Sequence, residues 1–363
     1  MSMKKIKKKT MIAIIILAVL IALIMIILPP SSGILPKCTT PNGISEKTFL
    51  TVDGAELGLI LLSDDTAAPV LLVCGGGPGI PQYLMEDLYP SPLPHKFTVC
   101  YWDYRGTGIS WSPDITSDEM NTDRYINDAI AVTDYLAQRF GKDKIYIMGH
   151  SFGTYIALNT VQRYPERYTC YIAMSQICDQ KQSEYTAFDY MRQQYADSGD
   201  TKMTAEFDSY DIRGSAEDYE RYKYSGLRDK AMHGLGVGTT RDMRSVISDL
   251  FLPSLRCMAY TQSERINIWK SKFTVSKNCP AGKDSNVFNA YEDVQKLDIP
   301  IYFIVGKYDC TCMASLQETY YEAVEAPVKK LYIFENSAHS PLYEEYDRSC
   351  QVLDEIIAEN SQM

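Results

Sequence analysis

Short apolar runs, each about the length of a strand, recur through most of this chain, and this rhythm limits the fold more than any other feature. Ala55–Leu62, Val70–Cys74, Phe97–Trp102, Lys144–Met148, Tyr171–Met174, Ile299–Val305 and Lys330–Phe334 are such runs. Between several of them the apolar spacing changes to that of a helix. The pattern predicts helices over Asp123–Phe140, with Ile126, Ile130 and Ala137 toward one face and Thr122 as N-cap, over Phe152–Arg163, and over Tyr343–Glu359. Continuous apolar strands alternating with helices indicate an α/β fold whose mostly parallel sheet is buried on both faces. Between residues 180 and 290 the strand rhythm stops, and the chain becomes polar, Tyr-rich and helical in spacing. Strands resume afterwards, so the stretch reads as a helical cap inserted into one core, 46–179 plus 291–363.

The N-terminus is a separate feature. Lys4, Lys5, Lys7, Lys8 and Lys9 precede Met11–Leu28, a run without charge, Gly or Pro. As a helix this run spans roughly 27 Å, about the thickness of a bilayer hydrocarbon core. No small-x-small cleavage site follows it, and Lys37 before Cys38 is wrong for a lipoprotein signal. The expectation is a cytoplasmic basic stub (1–10), a single transmembrane anchor (11–28), a linker (29–45) and an extracytoplasmic body. Cleavage of the segment, giving a secreted protein, is the alternative.

Charge narrows the partners. The chain has 36 Lys+Arg against 46 Asp+Glu, net −10, and without the five N-terminal lysines the remainder stands at −15. An acidic body argues against nucleic acid. Cys74, Cys100 and Cys170 fall in strand-like runs and read as buried thiols. Cys38, Cys178, Cys257, Cys279, Cys310, Cys312 and Cys350 fall in loops or the insertion and are candidates for disulfides in an oxidising compartment, with the pairing open. The lone Cys310-Thr311-Cys312 is too sparse for a metal site, and no organic cofactor is implied.

The chemistry-bearing motif is Gly149-His150-Ser151-Phe152-Gly153, which follows a strand and opens a helix. That context lifts a serine hydroxyl above the sheet edge. Serine needs a base, and the base needs an orienting acid. Of four histidines, His150 adjoins the serine on the wrong side of the turn, His95 precedes an early strand, and His233 lies in the insertion. His339, in the loop after the last strand, is the expected base, and Asp309, just after the penultimate strand, the expected acid. The oxyanion formed on attack requires two backbone N–H donors. One is Phe152; the other is expected from the loop Gly75-Gly76-Gly77-Pro78-Gly79. Gly234-Leu235-Gly236-Val237-Gly238 misses the dinucleotide spacing and follows no strand.

Together, Gly76-Gly77-Pro78-Gly79, Asp103-Tyr104-Arg105-Gly106-Thr107-Gly108-Ile109-Ser110, the Ser151 motif, Gly306-Lys307-Tyr308-Asp309 and Ser337-Ala338-His339-Ser340 resemble α/β-hydrolases of the proline iminopeptidase type, from about residue 45 to 358. The resemblance implies a catalytic triad Ser151, Asp309, His339, an oxyanion hole at Gly76 and Phe152, and a bracing role for Asp103 and Arg105. It departs at Gly75, where the family motif has His. Family iminopeptidases hold the substrate's α-amino group with cap carboxylates; Glu184, Glu206, Glu217, Glu220 and Glu264 are candidates here, none in a matching motif. The expected protein is therefore a membrane-anchored serine hydrolase cleaving short peptides at their N-terminal residue. Carboxylesterase activity, or a non-catalytic tethered binding protein, are the alternatives.

Overall fold

The computed structural model describes residues 15–16, 25–274 and 278–361. Most of the expected anchor Met11–Leu28 lies outside the described residues. Among those described, no helix is long and apolar enough to cross a membrane.

The body is built on eight strands: β1 (Ile44–Val52), β2 (Ala55–Ser63), β3 (Val70–Cys74), β4 (Thr98–Trp102), β5 (Ile145–His150), β6 (Tyr168–Met174), β7 (Ile301–Gly306) and β8 (Lys329–Phe334). They form one sheet in the order β1-β2-β4-β3-β5-β6-β7-β8. β1–β2 and β2–β4 pair antiparallel, and every other neighbour is parallel. Strands β3 to β7 are buried along their whole length apart from one half-buried residue in β6, because helices cover both faces. Alternate residues serve opposite cores: Val70, Leu72 and Cys74 pack on one side, Leu71 and Val73 on the other.

Three expectations need correction. The strand β1 falls partly in the expected linker. Its sequence is polar and only half-buried, so it lacks the apolar signature of the central strands. Asp53-Gly54, both at positive φ, turns it into an antiparallel hairpin with β2. The 122–140 helix is capped by Asn121, whose side chain accepts from Arg124 N–H, while Thr122 is already helical and bonds Tyr155 and Asp284 instead. The last helix is broken: Pro341–Glu344 and Tyr346–Asn360 meet at Glu345, whose backbone (φ −120°, ψ 76°) is not helical.

The expected disulfides among Cys38, Cys178, Cys257, Cys279, Cys310, Cys312 and Cys350 are also corrected: all ten cysteines are free thiols. Cys178, Cys257, Cys279, Cys310 and Cys312 are buried as thoroughly as those in the strands.

Between β6 and β7 the helices Gln180–Asp197, Thr201–Asp208, Ala216–Lys223 and Gly226–Gly234 each begin behind a side-chain cap, Asp179, Asp200, Ser215 and Ser225. Good caps let helices of low hydrophobicity start sharply in a polar stretch. They share a small core including Met191, Phe207 and Tyr222. The helices Gln262–Thr274 and Pro280–Val287 complete the insertion.

The Asp103–Ser110 stretch is a buried brace. Arg105 grips Asp128 with two nitrogens, at 3.0 and 2.6 Å, and donates to the Val52 carbonyl. Asp103 accepts from Ile109 N–H at 2.9 Å, and burial pushes its carboxyl up to about 7. A raised carboxyl means folding favours the protonated form. This stabilisation is complete below the ordinary Asp range and is lost as pH rises through about 7. Asp103→Asn keeps the shape and removes the titration. Urea unfolding should show the variant gaining on the wild type by roughly 2 kcal/mol between pH 5 and pH 8. Parallel pH profiles would contradict this.

Candidate active site

Ser151 sits between β5 and the Phe152–Arg163 helix with φ 56° and ψ −124°, a conformation costly for a residue with a Cβ. Tight packing enforces it. A Cβ on Gly149 would lie 2.5 Å from Thr154 Cα, and one on Gly153 would collide with the Cys74 carbonyl of β3. Ser151 N–H donates to Met174 O at 3.2 Å, and its carbonyl accepts from Thr154 N–H at 2.8 Å. The serine lines a cavity of about 750 Å³ between the sheet edge and the insertion, together with Gly77, Pro78 and Phe152.

Asp309 lies in the turn after β7 and is 1% exposed. Each of its carboxylate oxygens is 3.0 Å from His339 Nδ1. Oδ1 also accepts from the Thr311 and Cys312 N–H groups at 2.8 and 2.9 Å, and Oδ2 from Gln317 Nε2 at 3.3 Å. The Cys-x-Cys segment thus supplies backbone donors to an acid. A carboxylate facing Nδ1 places the ring proton there and leaves Nε2 of His339 with its lone pair free.

The His339 loop is clamped from three directions. Glu344 Oε1 accepts from the N–H groups on either side, Ala338 at 2.9 Å and Ser340 at 3.2 Å, and its Oε2 accepts from Arg241 N–H at 2.7 Å. Burial pushes Glu344 up to about 7 despite these three donors. The His339 N–H donates to Gly238 O, so the Gly-rich 234–238 segment of the insertion supports this loop. Its carbonyl accepts from Ser175 Oγ and from His150 Nε2, both at 2.9 Å.

His150 is therefore a strut rather than a base. Burial, with His339 alongside, pushes its ring down to about 3, so it is neutral near pH 7. Nε2 faces a carbonyl and must carry the hydrogen, which makes Nδ1 an acceptor. Nδ1 stands 3.2 Å from the Gln82 side-chain amide, which also contacts Tyr343 OH at 3.1 Å and Gly76 N–H at 3.3 Å. Gln82 Oε1 accepts from Gly76 N–H and its Nε2 donates to Tyr343 OH, so this amide ties the Gly76 turn to His150 and Tyr343. Gly76 itself packs against the Ser151 turn: a Cβ there would be 3.3 Å from Ser151 Cβ.

The structure thus joins Asp309 to His339, sets Gly76 against Ser151, and places Ser151 and Phe152 on one cavity. Sequence reasoning missed Gln82, His150, Gln317 and Glu344, which act through tertiary hydrogen bonds without a local motif. Of the cap carboxylates, Glu184 and Glu220 reach the cavity. Glu184 is held by Arg228 through two nitrogens, and Glu264 pairs with Lys47 at 2.9 Å away from the cavity.

The alpha/beta hydrolase fold family profile matches residues 69–346, and the chain belongs to that family. A probable aminopeptidase, YbaC, of Bacillus subtilis (strain 168) is 29% identical over 311 residues, 82% of this chain and 91% of that protein. A proline iminopeptidase of Saccharolobus solfataricus is 25% identical over 290 residues, 79% of this chain and 84% of that protein. Among solved structures, proline iminopeptidase of Mycobacterium smegmatis superposes with a TM-score of 0.64 at 14% identity, covering 87% of this chain and 98% of its own.

Glu344→Ala frees three backbone donors and should loosen the His339 loop. The expected result is a fall in kcat for p-nitrophenyl acetate of about 10-fold or more, with unfolding free energy lower by about 1–3 kcal/mol. An unchanged kcat would show that the clamp does not position the histidine.

Proposed function

We propose that this protein is a membrane-anchored serine hydrolase that removes the N-terminal residue, including proline, from short peptides. The observation that carries the reading is the Asp309–His339 contact, two oxygens at 3.0 Å from Nδ1, at the same sheet edge as a serine held in a strained strand-to-helix turn.

In this reading Ser151 Oγ attacks the carbonyl carbon and His339 Nε2 takes its proton. The Gly76 and Phe152 N–H groups hold the oxyanion. His339 then protonates the leaving amine, and the C–N bond breaks to give an acyl-Ser151 ester. Water, deprotonated by His339, attacks that ester; the acid departs and Ser151 recovers its proton. Asp309 keeps the imidazole in its tautomer and stabilises the imidazolium.

Aminopeptidase specificity is supported by the extended likeness to the Bacillus subtilis protein and by the carboxylate of Glu220, exposed on the cavity wall, as a partner for an α-ammonium. The neutralisation of Glu184 by Arg228 favours the second reading, a carboxylesterase, because it removes one of the two carboxylates.

Anchoring is supported by the apolar Met11–Leu28 behind five lysines. The Leu28 and Pro29 carbonyls are tied to Gln262 and Arg265 of the cap, and the same helix exposes Ile266 and Phe273. The five lysines ahead of the apolar run favour a cytoplasmic N-terminus with the body on the far side.

The test compares prolyl and alanyl 7-amido-4-methylcoumarins, their N-acetyl forms and p-nitrophenyl butyrate. The free-amine amides should be cleaved and the acetylated ones left intact. Ser151→Ala should lower kcat about 10⁴-fold or more, and Asp309→Asn about 10²- to 10⁴-fold. Activity confined to the ester would favour the esterase. In cell fractionation the chain should stay in the pellet after alkaline carbonate, and release into the supernatant would contradict the anchor.

A further inference from the structure

The cavity beside Ser151 carries more positive than negative charge, although the body as a whole is acidic. Its walls include Lys223, Arg228, Lys272 and Lys283 against Glu184 and Glu220. Arg228 is used up by Glu184, and Lys283 is exposed. Lys223 and Lys272 come from different helices, Ala216–Lys223 and Gln262–Thr274. Among the described residues, no carboxylate lies within 4.0 Å of either ammonium.

Each lysine donates instead to one neutral oxygen, and Lys223 also lies 5.9 and 6.0 Å from the ring centroids of Tyr219 and Tyr224. Lys272 Nζ donates to the Pro78 carbonyl at 2.9 Å, and Lys223 Nζ to Asn286 Oδ1 at 2.5 Å. An ammonium has three hydrogens, so both retain donors for a ligand. Burial lowers both, and Lys272, with Lys223 nearby, falls to about 8. Glu184 and Glu220 act on Lys223 only from beyond contact distance, so two partly desolvated cations without a directly paired carboxylate gain when an anion enters.

The position of the pair selects the anion. Pro78 belongs to the Gly76–Gly79 turn that packs on Ser151, so the cation tied to its carbonyl lies on the Ser151 side of the cavity. In a dipeptide the α-carboxylate is two bonds from the scissile nitrogen. A cavity of about 750 Å³ has room for such a ligand.

We propose that Lys223 and Lys272 form a carboxylate subsite that receives the free C-terminus of a dipeptide, so that the enzyme acts on dipeptide acids in preference to blocked or longer peptides. This deepens the peptidase reading and rests on it. With Glu220 on the same wall, the cavity presents opposite charges to the two ends of a zwitterion.

The test separates binding from turnover. Purified full-length Ser151→Ala protein is titrated calorimetrically with prolylglycine, prolylglycinamide and glycerol 3-phosphate. The acid should bind about 10-fold or more tighter than the amide. The added changes Lys223→Met and Lys272→Met should erase that gap, and Lys→Arg at both positions should retain it, which distinguishes charge from misfolding. Equal binding of acid and amide, or a gap that survives the double Met variant, would overturn the subsite. Binding of glycerol 3-phosphate without the dipeptide acid would overturn its assignment to a carboxylate. Turnover of the same dipeptides by the wild-type chain is read separately: if neither is cut while the acid still binds selectively, the peptidase reading fails and the subsite stands.

Discussion

The strain at Ser151 persists only because its surroundings leave it no alternative, and the rest of the sheet edge is organised around that fact. The helix after the serine must start within one residue of β5, and it can pack so closely on β3 only because Gly149 and Gly153 lack side chains. Relaxing the turn would break the β5–helix junction at the centre of the sheet, where burial is complete. A local cost of about 1–3 kcal/mol is therefore held by a core that cannot rearrange cheaply.

Around this point the other groups are fixed from several elements. Asp309 is held by the turn after β7, and His339 by the loop after β8. That loop is tied to β5 through His150, to the end of β6 through Ser175, to the chain beyond through Glu344, and to the cap through Gly238. A histidine restrained on all these sides keeps its ring angle without help from substrate, which is the physical content of preorganisation. The cap has two separable effects: its backbone steadies the histidine loop, and its side chains set the charge of the cavity.

How much of this was legible follows from the range of the forces involved. The parallel strands and the Ser151 turn announce themselves locally, by apolar continuity and by Gly at fixed offsets. Strand order and elimination among four histidines single out Asp309 and His339, and the structure brings those two side chains into contact. β1 was missed because a polar, half-buried edge strand has no apolar signature, although Asp53-Gly54 signals the hairpin. The Thr122 cap and the unbroken final helix were misjudged because one residue's backbone angles decide each. Gln82, His150 and Glu344 carry no signal, since each joins at least one partner far along the chain and none sits in a local motif. The cavity's charge was also hidden: the body's net charge is acidic, while Lys223 and Lys272 are 49 residues apart in sequence and meet only through folding.

The central claim is that Ser151 is the activated nucleophile of this site. Peptide mapping by mass spectrometry after treatment of the full-length protein with a fluorophosphonate tests it most directly. The account predicts one adduct, on Ser151, formed slowly or not at all in the Asp309→Asn protein. A folded wild-type protein that takes up no label, or takes it on another serine, would contradict it.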